Sequence, residues 1–152
     1  MLDMNGIEIK TGDVVEISGA YFKNDNGYYF VDKAPGNPGW LGSSYSLVKI
    51  SKKGKISTAK RNLCSWPIGV YTNDPWKRAA AKEWNEENAR IEVKDGIDRT
   101  EIAAHFQEEA DSMEERIEWG RWNWGEENPE VLKYIGIQKH LTDTSKRILA
   151  EA

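Results

Sequence analysis

His105 and Glu109 stand four residues apart in TEIAAHFQEEAD, one helical turn if that segment is a helix, with Glu101 and Glu108 in the same reach. An imidazole beside a carboxylate at that spacing can serve as an acid/base pair or as half of a metal site. The sequence supplies no evident third and fourth ligand, and nothing in it brings His140 to His105. Cys64, the sole cysteine, sits in NLCSWPIGVY beside Trp66, where a buried inert thiol is the expectation rather than a nucleophile. The Pro- and Gly-rich run from Ala34 to Gly42 lacks the GxxxxGK order and does not lead into a helix, so it is no phosphate cradle. No catalytic residue, metal site or cofactor is assigned on this basis, and the chain reads as a binder rather than an enzyme.

Three constellations could bind. Glu108, Asp111, Glu115 and Glu118 recur at helical spacing on the side away from Phe106 and Met113, with Glu101 and Glu114 nearby, and Glu114 is counted with the acidic face. The like-charge pairs Asp111/Glu115 and Glu114/Glu118 each cost roughly 0.2–0.5 kcal/mol. Such a stripe is either a solvated face, one docked on the chain's own basic half, or an imitation of nucleic-acid phosphates that occupies a basic groove on another protein. Lys49, Lys52, Lys53, Lys55, Lys60 and Arg61 cluster in one expected hairpin and its flanks. Beside Tyr45 and Trp66 they could grip phosphates while a ring stacks on a base, or they could simply protect an edge strand from aggregation. Trp119, Trp122 and Trp124 surround Arg121 in IEWGRWNWGEENP, bracketed by two glycines. The glycines predict that at least one of these rings lies in a loop. Exposed, they would suit a protein-binding hot spot or a platform for a planar ligand such as a nucleobase; buried, they would plug a seam.

Charge is unevenly spread along the 152 residues, whose net charge is −4. Residues 1–82 hold twelve Lys/Arg against seven Asp/Glu, whereas residues 83–130 hold sixteen Asp/Glu against five Lys/Arg. A basic first half facing an acidic second half is expected. One cysteine allows no intrachain disulfide, and neither a membrane-length apolar run nor a signal pattern is present, so a cytoplasmic protein is expected.

The elements that must position these groups follow in order. Ile7–Lys10 suggests a short first strand. Val14, Val15 and Ile17, then Tyr28, Phe30 and Val31, make a strand pair around Lys23-Asn24-Asp25-Asn26-Gly27, with Asn26-Gly27 as a tight turn. A strand through Tyr45 and Leu47 ends in the polar turn Lys52–Lys55, Ile56–Thr58 returns, and Asn62–Tyr71 is a last strand that Pro67 marks as an edge or bulge. Short strands at this spacing suit a small barrel over residues 5–73. Asp74-Pro75 then opens a helix with the stripe Trp76, Ala80 and Trp84, running to about Arg90. Ile91-Glu92-Val93 suggests a short strand. Asp98 has capping-box spacing to Glu101 ahead of a helix that buries Ile102, Phe106, Ala110, Met113 and Ile117 and stops near Gly120. A third helix starts at Asn128-Pro129, with Val131, Leu132, Ile135 and Leu141 as apolar positions and a separate last turn from Thr142. The helical, acidic region 74–152 is expected to share a core with the barrel.

Over Thr11–Asp32, the residues Gly12-Asp13, Val15, Ile17, Gly19, Gly27 and Val31 resemble the hairpin of KOW-type SH3-like barrels. That resemblance implies an N-terminal SH3-like barrel in an α+β protein, and a surface for RNA or protein. Asn24, Asp25 and Asn26 stand where such modules usually present basic residues to RNA. In composition, as a small, acidic, Trp-rich chain without a catalytic set, the whole is similar in type to accessory proteins of phages and conjugative elements. Several families of those block CRISPR effectors or restriction enzymes by carboxylate mimicry; the likeness rests on no specific motif. It implies a non-enzymatic inhibitor or adaptor of anti-CRISPR or antirestriction type that binds a basic nucleic-acid-handling protein. A nucleic-acid-binding barrel using the Lys/Arg hairpin, and a nucleotide-sequestering protein using Trp stacking, are the alternatives.

Overall fold

Runs rich in β-branched and aromatic residues form strands β1 (Val14–Ser18), β2 (Gly27–Lys33) and β3 (Tyr45–Ile50), and a fourth strand is β4 (Leu63–Trp66). Helix α1 (Pro75–Asn88) then leads into β5 (Arg90–Val93). The computed structural model describes residues 2–33, 45–57, 63–66 and 74–151. It separates into two compact units, Met1–Asp98 and Arg99–Ala152.

In the first unit the five strands make one antiparallel sheet in the order β4-β3-β2-β1-β5. The period of two puts Val15, Ile17, Tyr29, Val31, Leu47, Trp66 and Ile91 into one cluster, joined by Ile9. Burying each aliphatic member contributes about 1.5–3 kcal/mol. The fold is α+β, as the sequence implies. Among the described strands, however, the sheet is open, with β4 and β5 as its edges, where the sequence predicts a closed barrel over 5–73. The strand that completes the order, β5, lies beyond that range because the chain inserts α1 before returning to β1.

Ile7–Lys10 forms no strand; a single bridge, Leu2 to Glu8, is all the pairing it makes there. The chain is turned instead by Asp3. Its Oδ1 accepts from the amides of Asn5 and Ile7 at 2.9 and 2.8 Å, and its Oδ2 accepts from Val93 N at 2.9 Å. Met4 N donates to Ile91 O at 2.9 Å, so this segment covers the outer side of β5. Amide donation, from Val93 first, holds the Asp3 carboxyl below the usual aspartate range against the opposing effect of burial. A depressed carboxylate stabilises the fold above its unfolded-state value, and that contribution is lost as pH falls through the folded one. We therefore expect the Val93 amide to lose hydrogen-exchange protection as pH drops below about 4. Asp3→Asn should show the weakened protection already at neutral pH.

The β1–β2 connection is longer than a tight Asn-Gly turn. Ile17 pairs with Gly27, and a 3-10 turn at Lys23–Asp25 lies between them. Asn26 keeps an ordinary φ of −71°, and its Oδ1 accepts from Ala20 N at 2.9 Å. Helix α1 pins this loop: Trp84 Nε1 donates to Gly19 O at 3.0 Å, and Asn85 Oδ1 accepts from Tyr21 N at 2.9 Å. That task reverses the expected stripe. Ala81 and Asn85 are buried, while Trp76 is 84% exposed and Trp84 is half-exposed. A loop amide needs an acceptor more than the sheet needs another ring. Asp74 caps α1 as its sequence implies, accepting from Trp76 N and Lys77 N, with Pro75 in the first turn.

The second unit is a hairpin of α2 (Thr100–Trp124) and α3 (Pro129–Glu151). Arg99 reaches Glu151 at 3.0 Å, Ser145 Oγ donates to Ala103 O at 2.8 Å, and Gln138 Nε2 donates to Ala110 O at 3.1 Å. Partners thus run in opposite directions, and the helices are antiparallel. Ile102, Phe106, Ala110, Met113 and Ile117 are all buried, as their spacing predicts. The cap position falls on Arg99 rather than Asp98. Helix α2 does not stop at Gly120. A Cβ there would lie 2.9 Å from Val131 Cγ2, so Gly120 is a packing glycine in the seam, and Gly125, at φ +89°, ends the helix. Helix α3 is continuous through Gly136 and Thr142, because Val131, Leu141 and Ile148 hold one buried face along its length. Leu132, expected inside, is 55% exposed.

Candidate protein-binding surface

The extension of α2 past Gly120 decides the geometry of its outer face. With 3.6 residues per turn, each residue advances about 100° around the axis. Ile102, Ala103, Phe106, Ala110, Met113, Ile117 and Gly120, the buried residues, then fall within an arc of roughly 100°. Glu108, Asp111, Glu115, Glu118, Trp119 and Trp122 fall within the opposite arc, of similar width. The sequence predicts an acidic helix and a separate Trp loop. In the structure two of the three tryptophans belong to the helix face that carries the acids. From Glu108 to Trp122 the ribbon is roughly 21 Å long at 1.5 Å per residue.

All six ribbon residues are exposed. Trp122 is 89% exposed and Trp119 56%. Asp111 accepts from Gln107 Nε2 at 2.9 Å, which steadies the carboxylate without neutralising it. Among the described residues, no cation forms an ion pair with Glu108, Asp111, Glu114, Glu115 or Glu118. Glu114 leaves the ribbon: it lies toward α3 and accepts from Gln138 Nε2 at 2.7 Å. Arg121 is exposed on the same flank. Trp124 sits on the seam side, with its ring over Gly120 and packed edge-to-face on Trp119, centroids 4.8 Å apart at 88°. None of the three tryptophans is in a loop, and a perpendicular pair is not a parallel clamp for a flat base.

Of the described members of the basic cluster, one is engaged in the fold and three lie exposed in one turn. Lys49 Nζ donates to Asn24 O at 2.8 Å and to Asn26 O at 3.5 Å, so it fastens the β1–β2 loop rather than gripping a phosphate. Lys52 is exposed with Nζ 5.9 Å from the Tyr28 ring centroid, and Lys53 and Lys55 are exposed in the turn after β3. That strand is flanked by β2 and β4, and the turn leads back towards β4, an edge of the described sheet. Trp66 is buried and cannot stack on a base. Lys60 and Arg61 lie outside the described residues, as does the Ala34–Gly42 loop.

His105 Nε2 and Glu109 Oε1 are 3.2 Å apart, the contact their spacing predicts. Cys64 stands in β4 opposite Leu47. No helix among the described residues is long and apolar enough to cross a membrane. No protein-family model matches the chain, and neither a curated protein nor a solved structure is significantly similar to it.

Proposed function

We propose that this chain is a non-enzymatic inhibitor or adaptor that binds a basic surface of another protein through the outer face of α2. The observation that carries this reading is the continuity of that face. Four carboxylates with no ion-pair partner among the described residues lead into two exposed tryptophans on one continuous helix. Carboxylates attract and orient a cationic partner, and large rings supply buried area at the centre of contact. Trp119 and Trp122, three residues apart on one exposed face, form an aromatic patch of the kind that marks interaction surfaces.

The partner class we favour is a nucleic-acid-handling protein, whose phosphate-binding groove is basic by necessity, as for the nuclease inhibitors of mobile elements. We read the first unit as SH3-like, a reading that the strand order β4-β3-β2-β1-β5 supports, with the unit as the carrier of the helical hairpin. A direct nucleic-acid role is the weaker reading, since Lys49 is engaged in the fold and Trp66 is buried.

The test is capture from a lysate of the encoding organism at low salt, with and without nuclease treatment. Retention of one protein by the wild-type chain, and its loss from the triple variant Glu108→Lys, Asp111→Lys and Glu115→Lys, is expected. Recovery of DNA or RNA that disappears with nuclease, unaffected by the triple variant, would overturn the proposal.

A further inference from the structure

Within that reading, on which this inference rests, the pattern along the ribbon specifies the cation. Glu115 and Trp119 are four residues apart on α2, and so are Glu118 and Trp122, so each carboxylate has an indole one turn further along the same face. We infer that these two pairs are seats for arginine, and that the partner presents two guanidinium groups about one helical turn apart.

A guanidinium is planar, weakly hydrated and forked. It can lie flat on an indole while its edge donates two hydrogen bonds to a carboxylate. A lysine ammonium is a compact, strongly hydrated point charge that gains from the carboxylate alone. Either cation would serve a purely acidic stripe; a stripe with an exposed ring beside each of two carboxylates favours arginine. The seats are offset by three residues, roughly 4.5 Å along the axis. Arginines at i and i+4 on a partner helix, whose Cβ atoms lie about 5–6 Å apart, match that offset. Glu108 and Asp111 extend the negative field along the face and would steer the approach. The same field repels phosphate backbones. A second copy of this chain also carries exposed arginines, Arg78, Arg90, Arg116 and Arg121 among the described residues, but no two of them stand at i and i+4 on one helix.

The experiment measures fluorescence anisotropy of the full chain with two labelled helical peptides, identical except that one carries arginine and the other lysine at successive i and i+4 positions. At physiological salt the arginine peptide should bind at least about tenfold more tightly. Trp119→Ala with Trp122→Ala should bring it down to the lysine peptide's level. Trp119→Phe with Trp122→Phe should keep part of the preference, and unfolding midpoints of both variants establish that the hairpin is intact. Glu115→Gln with Glu118→Gln should weaken both peptides. Equal affinity for the two peptides, lost in the glutamine variant, would overturn the arginine inference while leaving the acidic surface standing. No binding of either peptide would overturn both readings. Self-association of the chain that is lost in the Trp119→Ala, Trp122→Ala variant would also overturn the inference, by giving the ribbon to a second copy.

Discussion

Replacing Gly54 with valine is expected to remove more than about 3 kcal/mol from the stability of the first unit, enough to unfold it outright if its margin is ordinary. Gly54 lies in the Lys52–Lys55 turn, where its amide donates to Ser51 O at 3.0 Å and Ser51 N donates to Lys55 O at 2.9 Å. Its φ is +80°, and a Cβ there would collide with the carbonyl oxygen of Asp98. Two penalties therefore coincide. The left-handed backbone costs a side-chain-bearing residue about 1–2 kcal/mol, and the collision is with main chain, which cannot rotate away as a side-chain tip can. Gly96 separates the two. It has nearly the same φ, +79°, but nothing within 4 Å of its Cβ position. Gly96→Val should cost only the backbone part. Urea unfolding followed by tryptophan fluorescence reads both variants, and equal losses would mean that the approach of Asp98 is not what requires glycine at position 54.

That contrast shows what the sequence exposes and what it hides. Gly54 is visible as a turn former, yet nothing near it in the chain announces Asp98, forty-four residues on. Local signals read correctly: the alternation of β1 and β2, the Asp74-Pro75 start of α1, and the five-residue apolar stripe of α2. Each is a pattern that one element imposes on itself. The misreadings arise where a distant group sets the role. Gly120 and Gly125 are both glycines near a helix end. Only the methyl of Val131 makes the first a packing residue, and so leaves the second to terminate α2. Trp76 and Trp84 have the better hydrophobic pattern, but the Tyr21 amide selects Asn85 for the buried face of α1. Asp3 closes onto β5 across ninety residues of sequence, which no local spacing could reveal. The candidate surface is legible in the same divided way. Its carboxylates are evident from spacing, but their union with Trp119 and Trp122 depends on the helix passing through Gly120.

Trp122 and Trp124 turn that dependence into the sharper prediction, because they are two residues apart and face nearly opposite ways. Trp122→Ala should leave the unfolding midpoint of the hairpin essentially unchanged, within about 0.5 kcal/mol, since the ring is almost wholly in water. The same substitution should weaken binding of a basic partner about thirtyfold or more, as truncating an aromatic anchor buried by a partner costs about 2 kcal/mol or above. Trp124→Ala should do the reverse. Its ring lies over Gly120 and against Trp119, so its loss should cost about 1 kcal/mol of stability. Binding should fall by less than about threefold, through looser holding of Trp119 alone. Paired denaturation and titration curves on the two variants test this directly. If the helix in solution ended at Gly120, both rings would sit in a connecting loop and the two substitutions would behave alike. Opposite signatures require the continuous helix, because only a fixed rotation of about 100° per residue sends neighbours two apart to opposite faces.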